Sequence, residues 1–168
     1  MDSRNVKTAA DARALVEARG LSHVKLGVVD LDGVIRGKYL ARDKFFDALE
    51  QGFKFCDVIF GWDSHDQLYD QSTFTGWHTA FPDATARIVP ASCRDVPMEG
   101  GMLFFLGEFD GPAAVGHAGA RRKISRGHAE IIARVEHDDV RGPRSEVGSR
   151  WSDVGCQFIH CISRVGAF

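Results

Sequence analysis

The most constraining feature of the sequence is the stretch over residues 24–40, which reads VKLGVVDLDGVIRGKYL. Branched apolar residues, which strands prefer, fill its first half, and apolar and basic residues alternate in its second half. Between the two halves stands Asp32-Gly33, a pair typical of hairpin turns, because glycine tolerates the positive φ that a tight turn demands. The pattern therefore predicts a β-hairpin.

The other periodic segments before about residue 112 predict two helices and three further strands. Apolar residues recur at helical spacing over residues 8–19 and 41–51. Aromatic or branched runs predict strands at residues 53–62, 85–90 and 101–109, and the last run is apolar enough to be central in a sheet. This order lacks the regular strand–helix alternation of a doubly wound sheet, so it predicts an α+β fold. We expect a β-grasp (a ubiquitin-like roll), with a mixed sheet packed on a helix. The phenylalanines expected in its core are Phe45, Phe46, Phe53, Phe55, Phe104 and Phe105.

The string VVDLDGV has a second interpretation. A hydrophobic strand that ends in Asp-x-Asp-Gly-Val resembles the first motif of haloacid-dehalogenase-type phosphatases. There Asp30 would be the nucleophile and Asp32 the acid/base, with Mg²⁺ between them. That fold needs the strand to open a parallel α/β unit, whereas Arg36-Gly37-Lys38 continues a hairpin. We therefore favour turn chemistry for Asp32 and a strand-end role for Asp30, and keep the phosphatase as an alternative.

Composition excludes several classes of partner. The chain has 168 residues, a formal net charge of -2 and a pI of about 6.4, so it lacks the basic footprint of a nucleic-acid or membrane-surface binder. No run approaches the ~20 apolar residues of a membrane span. The first residues lack the apolar core of a signal peptide, so we expect a cytoplasmic protein with reduced cysteines. The four cysteines are Cys56, Cys93, Cys156 and Cys161.

No metal site is expected. The spacing of Cys156, His160 and Cys161 resembles a ligand set, but no second pair with matching spacing accompanies it. The polar run over residues 63–70 lacks the glycine and glutamate of a calcium loop, so it predicts a solvated loop that faces an interface. Its metal-ligand types are Asp63, His65, Asp66 and Asp70.

Four segments in series resemble one known family. They read VKLGVVDLDGVIRGKYL, FKFCDVIFGWDSHDQLYD, FPDATARIVP and MLFFLGEF. In order and spacing, residues 8–112 resemble the N-terminal β-grasp domain of the glutamine synthetase family. The similarity is closest to the branch that includes γ-glutamyl-polyamine and other γ-glutamyl-amide synthetases.

The resemblance implies carbon–nitrogen ligation. Enzymes of this family use ATP to join ammonia or another amine to the γ-carboxylate of glutamate through a γ-glutamyl phosphate, and they form ring-shaped oligomers. Each active site lies between the catalytic domain of one subunit and the N-terminal domain of its neighbour, which lends a loop. The implied partner is thus the catalytic domain of neighbouring subunits in a homo-oligomer. ATP and Mg²⁺ or Mn²⁺ are implied for the full-length family, and no cofactor is expected in this chain alone.

The resemblance also points to candidate residues in the lent loop. In the ammonia-using branch this loop reads Phe-Asp-Gly-Ser-Ser, and its carboxylate binds and deprotonates ammonium. Here Cys56 falls on that position if Phe55 is aligned, and Asp57 comes one residue late. This departure favours a larger amine, as in the polyamine branch. The candidates lent to a neighbouring subunit are Asp57, Trp62 and Asp63.

The resemblance ends near residue 116. Residues 117–168 are rich in Arg, Gly and Ser and contain no Glu-x-Glu metal-binding strand. We therefore interpret them as an irregular or partly helical tail that is out of frame or disordered. On this hypothesis the catalytic domain is missing and the chain is truncated and inactive alone. The alternative from another class is a stand-alone β-grasp binding module, which would be a well-folded monomer.

Overall fold

A computed structural model of the chain describes residues 1–111 and residue 113. The predicted tail over residues 117–168 lies outside the described residues, and the predicted domain boundaries stay predictions. Short 3-10 helices lie at Ser3–Asn5, Asp57–Phe60 and Pro97–Glu99. In chain order the other elements are α1 (Ala9–Ala18), β1 (His23–Val29), β2 (Ile35–Ala41), α2 (Arg42–Gln51), β3 (Phe53–Cys56), β4 (Asp83–Val96) and β5 (Met102–Phe109).

The five strands form one mixed sheet in the order β2-β1-β5-β4-β3. Strand β1 pairs antiparallel with β2 and parallel with β5, and β4 pairs antiparallel with both β5 and β3. The predicted α+β class and the central position of β5 are confirmed.

The core lies between one face of this sheet and the two helices. Helix α2 packs on β1, β2 and β4, and α1 packs on α2 and β4. Phe45 of α2 and Phe105 of β5 are fully buried, with ring centroids 4.9 Å apart. Burial of one such side chain stabilises the fold by ~1.5–3 kcal/mol. All six phenylalanines that were expected in the core are buried. Among the described residues, no helix is long and apolar enough to cross a membrane.

Helix α1 begins with a capping box. The Thr8 hydroxyl accepts a hydrogen bond from the Asp11 backbone N–H at 3.1 Å, and the Asp11 carboxylate accepts one from the Thr8 N–H at 2.8 Å. These bonds satisfy backbone groups that a helix N-terminus leaves without partners. The predicted helix is confirmed, with Thr8 as its cap.

The predicted hairpin is also confirmed, but its turn is longer than a two-residue turn. The backbone N–H of Asp30 donates to the Val34 carbonyl at 2.9 Å, which leaves three residues in the loop. Gly33 has φ +87°, in the left-handed region that favours glycine. The Asp30 side chain accounts for the difference, because it accepts hydrogen bonds from the N–H groups of Asp32 and Val34 and so holds the wider loop closed.

The strand predicted over residues 53–62 is wrong in its second half. Strand β3 ends at Cys56, and Asp57–Phe60 forms a 3-10 helix. Ile59 and Phe60 are both buried. Adjacent strand residues point to opposite faces, so the tighter turn suits two successive core side chains better.

Strand β4 covers Asp83–Val96 and is longer than the strand predicted over residues 85–90, which ends at Pro90. Its register against β5 shifts between Val89 and Arg94, and Pro90 lies in that irregularity, where no ladder hydrogen bond is required of it. The buried Ser92 hydroxyl donates to the Val89 carbonyl at 2.5 Å and accepts the Leu106 N–H at 2.8 Å. One side chain therefore bridges the gap in the ladder.

Candidate functional site

Residues 61–70, here called the acidic loop, fold into a miniature hairpin directly after the 3-10 helix Asp57–Phe60. Trp62 and Leu68 form an isolated antiparallel bridge. The Tyr69 N–H donates to the Gly61 carbonyl at 2.8 Å, and the Asp63 N–H donates to the Gln67 carbonyl at 2.9 Å. The loop predicted over residues 63–70 is confirmed, and its backbone is closed on itself.

Asp63 shapes the tip of the acidic loop. Its Oδ1 accepts hydrogen bonds from the backbone N–H groups of His65 at 2.8 Å and Gln67 at 3.0 Å. The bonds from Gln67 and then His65 hold the pKa of the Asp63 carboxyl below its usual value, because they favour the charged form. Asp63 is thus a carboxylate held in a fixed geometry near the surface.

Arg36 of β2 lies under the acidic loop and is only 3% exposed. Its Nη1 contacts the Asp66 carboxylate at 2.5 Å, and its Nη2 donates to the Asp63 carbonyl at 3.4 Å. The guanidinium carbon lies 5.2 Å from the centroid of the Trp62 ring, within cation–π range. Three residues of the loop therefore contact one buried cation.

Asp30 holds the other side of Arg36. It is 1% exposed, and its Oδ2 accepts a hydrogen bond from Arg36 Nε at 2.9 Å. Burial raises the pKa of the Asp30 carboxyl, and the hydrogen bonds from Arg36 and from the turn amides oppose that rise. Asp30 follows the end of β1 as expected, and it is also the buried ion-pair partner of Arg36.

The phosphatase alternative is not favoured. A phosphatase nucleophile needs access to its substrate, whereas the Asp30 carboxylate is buried and engaged by Arg36. Strand β1 also pairs antiparallel with β2 and does not open a parallel α/β unit. We therefore assign Asp30 to the structure of the hairpin end.

Asp57 begins the 3-10 helix that precedes the acidic loop. It is 5% exposed, and its Oδ1 accepts a hydrogen bond from the buried Thr75 hydroxyl at 2.5 Å. Its backbone N–H donates to the Pro82 carbonyl at 3.0 Å. Of the three candidates, Trp62 and Asp63 both contact Arg36, whereas Asp57 ties the 3-10 helix to the segment over residues 71–82.

An open cleft of about 620 Å³ adjoins the acidic loop. Its lining includes Tyr69, whose pKa is raised by desolvation and then by the negative charges of Asp32, Asp63 and Asp30. These carboxylates thus produce a negative potential at the rim, and such a potential attracts cations. Aromatic side chains next to carboxylates are suited to an alkylammonium group. The cleft is lined by Leu31, Phe60, Tyr69, Asp70, Gln71, Ser72, Thr73 and Phe74.

Two curated proteins match about half of the chain. Type-1 glutamine synthetase 2 of Dictyostelium discoideum is 47% identical over 88 residues, which are 52% of this chain and 17% of that protein. Glutamate–isopropylamine ligase of Pseudomonas sp is 37% identical over 84 residues, which are 49% of this chain and 18% of that protein. About half of the chain is therefore similar in sequence to a glutamine synthetase and to a glutamate–amine ligase. The match spans less than a fifth of the length of either relative.

The other comparisons add less to this similarity. No family model matches the chain. Solved structures of a GmaS–ADP complex and of GmaS without ligand are 18% identical to it, and each covers 58% of this chain and 20% of the solved chain. Their TM-scores are 0.43 and 0.41, and scores this low do not establish a shared fold.

The described residues contain no cluster of three or more His, Cys, Asp or Glu side chains that is arranged to hold a metal ion. Asp66 and Asp30 are instead engaged by Arg36. The expectations about ATP and divalent ions stay predictions.

Sequence reasoning missed Arg36 and Thr75 as parts of the site. Arg36 was assigned to the polar alternation of β2, where a strand residue normally faces water. The available signal was the acidic residues on both sides, Asp30 six positions earlier and the acidic loop later. Nothing in the sequence marks Thr75, because its partner Asp57 lies 18 positions away.

Proposed function

We propose that this chain supplies the N-terminal domain of a glutamine synthetase-like, ATP-dependent carbon–nitrogen ligase. The reaction joins ammonia or a larger amine to the γ-carboxylate of glutamate. The observation that carries the proposal is the identity of 47% and 37% to a glutamine synthetase and a glutamate–isopropylamine ligase. Because each match spans less than a fifth of the relative, we assign the ATP- and glutamate-binding chemistry to another domain.

We propose that the acidic loop is the part of this domain that contributes to the active site of the ligase. A carboxylate attracts an ammonium group and accepts a proton from it, and Asp63 is held as a carboxylate by the hydrogen bonds from Gln67 and His65. Trp62 presents a half-buried ring beside it, which suits the apolar part of a larger amine. Asp57 lies in the 3-10 helix just before the loop and accepts a hydrogen bond from the buried Thr75 hydroxyl.

Several finer statements belong to the same proposal. The domain acts with the catalytic domain of a neighbouring subunit in a homo-oligomer, which binds ATP and Mg²⁺ or Mn²⁺. The amine belongs to the polyamine class or a similar one, because Cys56 stands at the aligned carboxylate position. We place the enzyme in the cytoplasm, with no nucleic-acid or membrane partner.

We also propose that the sheet is a β-grasp. The parallel pair β1 and β5 lies inside the sheet, with β2 beyond β1 and the antiparallel strands β4 and β3 beyond β5. Helix α2 packs across this sheet after the first hairpin. The order of hairpin, helix and returning strands supports the β-grasp.

A domain exchange tests the proposed function. In glutamate–isopropylamine ligase, the segment that matches this chain is replaced by residues 8–112, giving the exchange chimera. We expect the exchange chimera to assemble like the parent and to form the γ-glutamyl amide with ATP consumption, because the two segments are 37% identical where they match. The measurements are sedimentation velocity and amide formation with isopropylamine, ammonium and putrescine.

The parent ligase and a chimera with the acidic loop residues 61–70 replaced by Gly and Ser are the controls. We expect the loop-replaced chimera to assemble but to lose turnover. An exchange chimera that assembles like the parent yet turns over none of the amines contradicts the ligase proposal. That result would favour the stand-alone binding module. A well-folded full chain that is monomeric, combined with an inactive exchange chimera, would favour the same module.

A further inference from the structure

Arg36 makes a set of contacts that sequence polarity does not explain. Its guanidinium has three donor nitrogens, and each meets a different residue: Asp30 through Nε, Asp66 through Nη1 and the Asp63 carbonyl through Nη2. Burial of a charge is costly unless it is paired and hydrogen-bonded, and here the pairing is divided between the hairpin and the acidic loop. The planar fork of arginine allows this division, which a lysine ammonium cannot reproduce in the same geometry.

The partners on the hairpin side are rigid. Asp30 is fixed by the N–H groups of Asp32 and Val34, and its backbone pairs with Val34. A further bond, from the Leu31 N–H to the Ile59 carbonyl at 3.4 Å, ties the same turn to the 3-10 helix before the acidic loop. Arg36 therefore projects from a fixed base.

The partners on the loop side are less buried than Asp30. Asp66 has an exposed side chain and a positive φ of 62°, which costs an aspartate some strain. Besides the loop's own backbone bonds and the two bonds that Asp63 Oδ1 accepts, Arg36 contacts Asp66, the Asp63 carbonyl and the Trp62 ring. Removal of Arg36 would release all three together.

We propose that Arg36 is a positioning residue, which fixes Trp62 and Asp63 of the acidic loop in the geometry that receives the amine. Its importance for catalysis rests on the proposed function, but its control of the loop does not. Arg36 acts through the loop and is itself too buried to contact a substrate.

The test uses the full chain with the double substitution D30N/R36M. The asparagine keeps a side-chain oxygen for the turn amides, and removal of both charges leaves no buried ion alone, a change that is often close to neutral for stability. We expect amide hydrogen exchange at Asp63, Gln67 and Tyr69 to accelerate by about tenfold or more, while Leu26 and Phe105 keep their protection. The readout is hydrogen exchange followed by NMR.

The matched control is R87M/D110N. Arg87 Nε and Asp110 Oδ2 are also 2.9 Å apart, but both side chains are more than half exposed and neither contacts the acidic loop. We expect this control to leave exchange in the loop unchanged. Unchanged loop exchange in D30N/R36M with the strands still protected would overturn the proposal.

A second variant keeps the proposal falsifiable if the double substitution prevents folding. In D66N the asparagine tolerates the positive φ at residue 66, so the change removes charge without new backbone strain. We expect faster exchange at Gln67 and Tyr69, and an Asp63 titration midpoint that stays near the wild-type value, because Arg36 and the amides of His65 and Gln67 still face it. Loop exchange that equals the wild type overturns the proposal.

The exchange chimera separates positioning from general damage. A loop that is released but intact binds the amine more weakly, so D66N should raise KM for the amine by several-fold and leave kcat close to that of the chimera. A purely structural role would lower kcat through loss of folded enzyme and leave KM unchanged, which contradicts positioning. An inactive parent chimera would count against the proposed function alone, since the exchange measurements do not depend on turnover.

Discussion

Arg36 and Asp30 place two opposite charges in the interior at the hairpin end of the sheet. Each is less than a twentieth exposed, and the pair is 2.9 Å apart. Such a pair adds little stability compared with apolar residues of the same size, but the loss of one partner is severe because the other charge stays buried. What the pair provides here is geometry, because it links the turn at residues 31–33 to the acidic loop.

We predict that D30A lowers the free energy of unfolding by about 3–5 kcal/mol, since it removes the buried carboxylate partner of Arg36 and the acceptor of two turn amides. Urea denaturation followed by circular dichroism measures the change. The control is D110A, which breaks the exposed pair with Arg87 and should barely move the midpoint. Equal urea midpoints for the two variants would show that the buried pair contributes no more to stability than the exposed pair.

We predict that the acidic loop responds to acid through Asp63. Its folded pKa lies below the usual 3.8, so its carboxylate stabilises the loop above pH 3.8, and this contribution is lost as the pH falls through the lower folded value. The Gln67 and His65 amide shifts in a pH titration by NMR should therefore move with a midpoint below 3.8. A midpoint at or above 3.8 would mean that these two hydrogen bonds do not favour the charged form.

At the residue scale, the sequence predicted side chains whose position follows from periodicity. Phe45 and Phe105 were placed in the core, and both are fully buried. It did not predict the burial of Arg36, because a charged residue in a strand normally faces water and only the later packing of the acidic loop covers it. The sequence predicts that Asp30 lies at a strand end, but it does not predict the hydrogen bond that Asp30 accepts from Arg36 of β2.

Local rules determine some elements, and side chains from distant segments determine others. Helix α1 and the first hairpin lie where the sequence places them, because caps, apolar periodicity and an Asp-Gly pair act within a few residues. Strand β4 does not obey the local rule at Pro90, because Ser92 supplies the bonds that the irregular ladder lacks. The boundary of β3 was missed for the same reason, since Asp57 bonds to Thr75 and Pro82 far along the chain.

We predict that S92A destabilises the protein by about 1–3 kcal/mol, because the buried Leu106 N–H would lose its hydrogen-bond acceptor. The free energy of unfolding in urea measures the effect. S72A, on the rim of the open cleft, is the control and should have little effect. If S92A unfolds at the wild-type urea concentration, another group, such as a water molecule, replaces the hydroxyl.

We predict that T8A costs about 1 kcal/mol by removing half of the capping box of α1. The side-chain oxygen of residue 8 is the acceptor for the Asp11 N–H, and alanine leaves that amide to water. Thermal unfolding compared with T73A, an exposed loop threonine, provides the measurement. A melting temperature of T8A at or above that of T73A would contradict the capping assignment.

At the scale of the whole molecule, the elements to which we assign a functional role lie at one end of the sheet. The turn after β1, the 3-10 helix Asp57–Phe60 and the acidic loop are joined by the Leu31–Ile59 bond and by Arg36. The family resemblance carried by four sequence segments is confirmed over about half of the chain. The role of this end in catalysis is our proposal, which rests on the family resemblance and on the charge of the acidic loop.

The most direct test is the steady-state rate of amide formation by the exchange chimera with and without D63N. Asparagine keeps the oxygen that accepts the loop amides but removes the charge that would attract and deprotonate the amine. The control is D47N, an exposed carboxylate on α2. We predict that D63N assembles normally and loses about 100-fold or more in kcat/KM for the amine, while D47N matches the chimera. A correctly assembled D63N chimera with unchanged kcat/KM would contradict the proposal that the acidic loop serves a ligase site.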